Sequence, residues 1–161
     1  MKNLVFYAIV IVGAVAYNAV TTADRDNSGA IVESGSLGAF DVRVGDCFDD
    51  APADSTTGNG QVTSIPGVPC SEPHDNEIFA VFDVEMDEFP GDDEINQQVY
   101  DLCMQRFESF VGQNYESSSL EITMMYPSRE SWARTNDREA VCAVYDMSLA
   151  KLEGSAKGRG L

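Results

Sequence analysis

Positive charge is scarce in this chain: 10 Lys and Arg stand against 27 Asp and Glu in 161 residues, a formal net charge of −17 at pH 7. Such a field repels a phosphate backbone or an anionic surface, so nucleic acid is not expected as a partner; an acidic coat suits solvent or a basic protein surface. Histidine occurs once, as His74, and the cysteines never form Cys-x-x-Cys. That removes the thioredoxin-type redox pair and the usual zinc ribbon, leaving Cys70 and His74 as a half-site with no second histidine to complete it. Gly-x-Ser-x-Gly, His-Glu-x-x-His, a phosphate-cradling glycine loop and any internal repeat are absent as well. The acidic row Asp83, Glu85, Asp87 and the stretch "FPGDDE" do not follow the calcium-loop pattern. No catalytic residue, metal or cofactor is expected.

One long apolar run is present, "LVFYAIVIVGAVAYNAV" from Leu4 to Val20, preceded only by Lys2 and the terminal amine. Its length is at the short end for a spanning helix and slightly long for a signal-peptide core. Residues 1–22 are expected to be a transmembrane anchor, with residues 4–20 in the bilayer. A signal cleaved after "AVA" (14–16) or "TTA" (21–23) is the alternative. The charge bias places the N-terminus in the cytoplasm and the rest of the chain outside it. Residues 23–38, polar and small, read as a flexible linker, and the Gly-rich 151–161 as a flexible tail.

Residues 39–150 carry the periodic segments. "AFDVRV" alternates Phe40, Val42 and Val44 with charge and predicts a first strand; a second is expected around 61–65, after the acidic loop "DDAPADSTTGNGQ". "EIFAVFDVEM" (77–86) predicts a third, with Ile78, Ala80, Phe82, Val84 and Met86 on one face. "DDEINQQVYDLCMQRFESFVG" predicts a long helix: Asp92 as cap, Ile95, Val99, Leu102, Cys103, Phe107 and Phe110 in one stripe, and Gly112 as terminator. "LEITMMY" (120–126) and "EAVCAVYDM" (139–147) predict two more strands, separated by a helical turn capped by Ser128 around Trp132. This order predicts an α+β domain: a mostly antiparallel sheet of about five strands with one long helix on one face.

The four cysteines, on the outer side of a membrane, predict two disulfides. Three connectivities are possible, and spacing alone does not choose among them. The expected set is Cys47 with Cys70, clamping the acidic loop, and Cys103 with Cys142, stapling the helix to the last strand. A Cys-His nucleophile oriented by Asp75 or Glu77 would need a free thiolate, which the first disulfide removes. His74 is then a structural hydrogen-bonder or an interaction residue, and Trp132 a rim or core anchor. Asp46 and Arg138 are a candidate fixed pair across the domain, against ordinary turn and surface charge.

In order along the chain, "VGDCF" (44–48), "VPCSEPHDNEIFAVFD" (68–83), "FPG" (89–91), Cys103 with "RFESFVG" (106–112), "YPSRESW" (126–132), "NDREAVCAVYD" (136–146) and "LEGSAKG" (152–158) resemble the septum formation family of actinobacterial envelope proteins. Asn136 stands where that family usually has glycine before Asp-Arg. The resemblance implies an exported or membrane-tethered domain with a part in division or envelope organisation, and it brings no catalytic residues. The expected function is a non-enzymatic extracytoplasmic interaction module whose partners are other membrane or envelope proteins. The alternative is an accessory subunit of another membrane complex, such as a respiratory assembly.

Overall fold

The computed structural model describes residues 21–50 and 62–161. The expected membrane segment at 4–20 and most of the acidic loop lie outside the described residues. Among those described, no helix is long and apolar enough to cross a membrane.

Helix α1 spans Asp92–Val111 and buries Ile95, Val99, Cys103, Phe107, Phe110 and Val111, the stripe the spacing predicts, with Leu102 half-buried at its margin. Three acidic residues, Asp92, Asp93 and Glu94, complement its positive end. Asp92 is not the cap: Gly91, at φ 114°, holds that position and no side chain caps the helix. The far end stops at Gly112 (φ 84°), whose amide donates to the Glu108 carbonyl. Arg106 leaves the stripe by laying its guanidinium 4.4 Å from the centre of the Phe82 ring.

Among the described residues, eight strands form two antiparallel sheets rather than one of about five. β1 (Asp24–Arg25) and β2 (Ile31–Glu33) make a small hairpin. β3 (Gly35–Gly38), β4 (Cys47–Phe48), β5 (Ser64–Val68), β6 (Asn76–Asp83), β7 (Leu120–Met125) and β8 (Glu139–Asp146) make a six-stranded sheet in the order β3-β5-β4-β6-β8-β7. A second helix, α2 (Arg129–Thr135), begins in a capping box made by Ser128 and Ser131. One sheet face packs on α1 through Phe79, Ala80, Leu120, Ala140 and Val144. The other face buries Ile31, Leu37, Val42, Ile65, Ile78 and Val141 beneath the N-terminal segment.

Residues 23–38 are therefore not a flexible linker but part of this cover. Their strands have two to four residues each, too short to leave a period in the sequence. Their small residues permit close approach: a Cβ on Gly35 would lie 2.5 Å from the Ala23 amide nitrogen. "AFDVRV" is a folded loop rather than a strand. The Asp46 carboxylate accepts from the Arg43 amide, the Asp46 amide donates to the Arg43 carbonyl, and Gly45 sits at φ 91°, so the chain curls back. Val42 is buried there while Phe40, 67 % exposed, points to solvent.

In β6 the expected single face is broken by a register shift between Ile78 and Ala80. Phe79 and Ala80 both join the α1 side, whereas Ile78 joins the opposite core. One inserted residue thus lets an eight-residue strand serve both cores.

Candidate functional site

β4 is only two residues long, but its register with both neighbours is definite: Cys47 lies opposite Val68 of β5 and opposite Glu77 of β6. Two residues beyond Val68 the chain turns, and Cys70 meets Cys47 in a disulfide with Cα atoms 5.2 Å apart. The second disulfide joins Cys103 of α1 to Cys142 of β8, Cα atoms 5.8 Å apart, both residues fully buried. The described residues contain no free cysteine.

After Cys70 the Glu72 amide donates to the Pro69 carbonyl, and this turn delivers His74 inward, where its residue exposure is 0 %. The His74 Nδ1 lies 2.8 Å from the Glu72 carbonyl oxygen. A carbonyl only accepts, so Nδ1 donates this hydrogen bond, while Nε2 is buried with no hydrogen-bond partner among the described residues. The backbone of His74 exchanges two hydrogen bonds with Leu152, at 3.1 and 2.7 Å.

Three residues on, the carboxylate of Glu77 is also 0 % exposed. It accepts the Ser155 hydroxyl at 2.6 Å and the Ala156 amide at 2.5 Å. The Gly158 and Gly160 amides then donate to the Phe110 and Val111 carbonyls, at 2.8 and 2.9 Å. These belong to the last turn of α1, where carbonyls lack partners within the helix. The segment 151–161 is accordingly no flexible tail: it seats on the corner and finishes the helix. Leu152 and Ala156 are buried in the α1 core.

Lys151 leads into this segment and bridges Asp49 and Asp75, each at 2.8 Å. Its ammonium is held above the usual lysine range by the hydrogen bonds it donates to those carboxylates. Asp75 loses solvent, which alone would raise it, yet Lys151 and the Asp50 amide hold it below the usual carboxylate range.

The candidate pair Asp46 and Arg138 is not formed. Asp46, 3 % exposed, takes both guanidinium nitrogens of Arg25 at 2.5 and 2.7 Å, and this contact holds Arg25 above its ordinary value. Arg138 lies 3.6 Å over the Trp132 ring and donates to the Asp137 carbonyl. Buried Trp132 also meets Phe89 edge-on, with ring centres 5.7 Å apart. Asn136 adopts φ 55°, a left-handed conformation that glycine reaches without strain. Beside it an open cleft of about 380 Å³ is lined by Phe40, Asp83, Asp137, Arg138 and Glu139 among others. Burial, then the charges of Asp137, Asp83 and Asp41, push the Glu139 carboxyl upward.

The family model for septum formation matches residues 44–158. The chain belongs to the septum formation family. No curated protein and no solved structure matches it. The septum formation match opens one residue before Gly45 and closes on Gly158, so it takes in the corner and most of the segment seated there. Within this septum formation domain, Cys47, Cys70 and Glu77 converge on one place and His74 fastens the adjoining turn, whereas Asp46, Trp132 and Arg138 serve separate contacts. Glu77, which the sequence offered only as an orienting group for a Cys-His nucleophile, is instead the acceptor that seats the C-terminal segment. Its signal was a carboxylate directly before the apolar run Ile78–Phe82, seven residues after a cysteine.

Proposed function

We infer that the protein is a membrane-tethered, non-enzymatic extracytoplasmic interaction module that contributes to septum formation or cell-envelope organisation. The observation that carries this reading is where the polar groups of the family motif are spent. Cys47 and Cys70 bond each other, His74 holds its own turn and Leu152, and Glu77 holds Ser155 and Ala156. These contacts fasten the fold and leave the acidic surface as the part available to others. A net charge of −17 favours a basic protein surface as the partner.

The test is purification of the tagged full chain in mild detergent, with identification of what accompanies it. Division or envelope-assembly proteins are expected. Respiratory oxidoreductase subunits in stoichiometric amount would replace this reading with that of an accessory subunit.

A further inference from the structure

We propose that the corner is a redox-gated zinc site, in which Cys47, Cys70 and Glu77 hold one Zn²⁺ after the Cys47–Cys70 disulfide is reduced. The Sγ atoms of both cysteines and a carboxylate oxygen of Glu77 all lie within 4.8 Å of one another. Zinc binds thiolate at about 2.3 Å and carboxylate at about 2.0–2.2 Å, so tetrahedral ligands stand roughly 3.5–3.8 Å apart. Once the sulfur–sulfur bond is broken, side-chain rotation alone separates the two sulfurs to that distance. Two of the three ligands are carried on sheet: Cys47 and Glu77 are directly opposed residues of β4 and β6.

A second observation points to a cation. Glu77 is fully buried, yet among the described residues it makes no ion pair; its two hydrogen bonds come from neutral donors. A buried carboxylate is costly without a positive partner. Two thiolates and a carboxylate suit zinc, with a fourth position for water.

An external dithiol attacks the disulfide and is itself oxidised to a disulfide, passing two electrons to Cys47 and Cys70, which leave as thiols. Zinc binding then releases their two protons to solvent. Cys70 is half-buried and open to attack, whereas Cys103 and Cys142 are fully buried, so reduction falls first on the corner.

The test uses the full chain in mild detergent, reduced without oxygen under native conditions and then titrated with Co²⁺ and Zn²⁺. Alkylation is expected to label Cys47 and Cys70 only. One Co²⁺ per chain should give a sulfur-to-cobalt charge-transfer band that Zn²⁺ abolishes, while the oxidised protein gives none. Glu77→Gln should weaken Zn²⁺ binding by at least ~10-fold, with folding verified by circular dichroism. Cys70→Ser should remove the charge-transfer band, and this variant carries the test should Glu77→Gln fail to fold. The proposal is overturned by labelling of all four cysteines at once, by no such band in the reduced folded protein, by Zn²⁺ affinity unchanged in folded Glu77→Gln, or by a band that survives Cys70→Ser.

Discussion

Replacing Glu77 by alanine removes the acceptor that seats the C-terminal segment. The Ser155 hydroxyl at 2.6 Å and the Ala156 amide at 2.5 Å both lose their partner. Hydrogen bonds to a charged group contribute about 1.5–3 kcal/mol each. Against the sum stands relief from desolvating the carboxylate, which returns several kcal/mol at most. Ser155 can rotate its hydroxyl toward another acceptor, but the amide of fully buried Ala156 cannot, which costs about 1–3 kcal/mol. The expected net loss is about 3 kcal/mol, a large share of the 5–15 kcal/mol typical of a domain. Glu77→Gln should lose only about 1 kcal/mol, because its carbonyl oxygen can take the amide while its NH₂ donates to the Ser155 oxygen. Urea unfolding of the oxidised protein measures both variants. Ser155→Ala supplies a coupling test: it should cost about 1 kcal/mol in the parent and close to nothing in Glu77→Ala. A loss below about 1 kcal/mol in Glu77→Ala, or an unchanged Ser155→Ala effect in that background, would show that Glu77 does not hold the segment.

Deleting the Cys103–Cys142 disulfide as a double alanine variant should cost about 4 kcal/mol on chain-entropy grounds for a separation of 39 residues, read from the urea midpoint. Asp46→Ala strips Arg25 of its bidentate partner and the Arg43 amide of its acceptor, and should cost about 3 kcal/mol by the same measurement. For Glu139 the folded-state value is raised, so the folded protein binds more protons than the unfolded one and ionisation of this group opposes folding. Thermal melts should therefore show Glu139→Gln more stable than the parent at pH 7, the advantage shrinking as pH falls through the carboxyl range. An advantage that grows toward acid would be the wrong sign.

Long-period features were legible from the residues, and the short ones were not. The α1 stripe, the Gly112 terminator, the Ser128 cap and strands β7 and β8 repeat over enough residues, or use strong enough capping chemistry, to stand out. Strands β1 to β4 have no more than four residues each, and their pairing is decided by what they pack on. The alternation of Phe40, Val42 and Val44 imitated a strand because only Val42 is needed in the core while the Asp46 carboxylate bends the chain. The inserted residue in β6 left no mark in composition. At the corner the disulfide partners were readable as a set and His74 as a turn residue. The segment 151–161 looked unstructured because its glycines, Gly154, Gly158 and Gly160, interrupt any period. Gly158 and Gly160, both at positive φ, are what let its amides reach the end of α1.

The residues of the corner seat the C-terminal segment through Glu77 and the end of α1. Amide hydrogen exchange of the oxidised full chain in mild detergent tests this seating most directly. Ala156, Gly158 and Gly160 amides should be protected nearly as well as those of β6 and β8, and Glu77→Ala should release them while leaving β8 protected. Rapid exchange at those three amides in the parent protein would contradict the account.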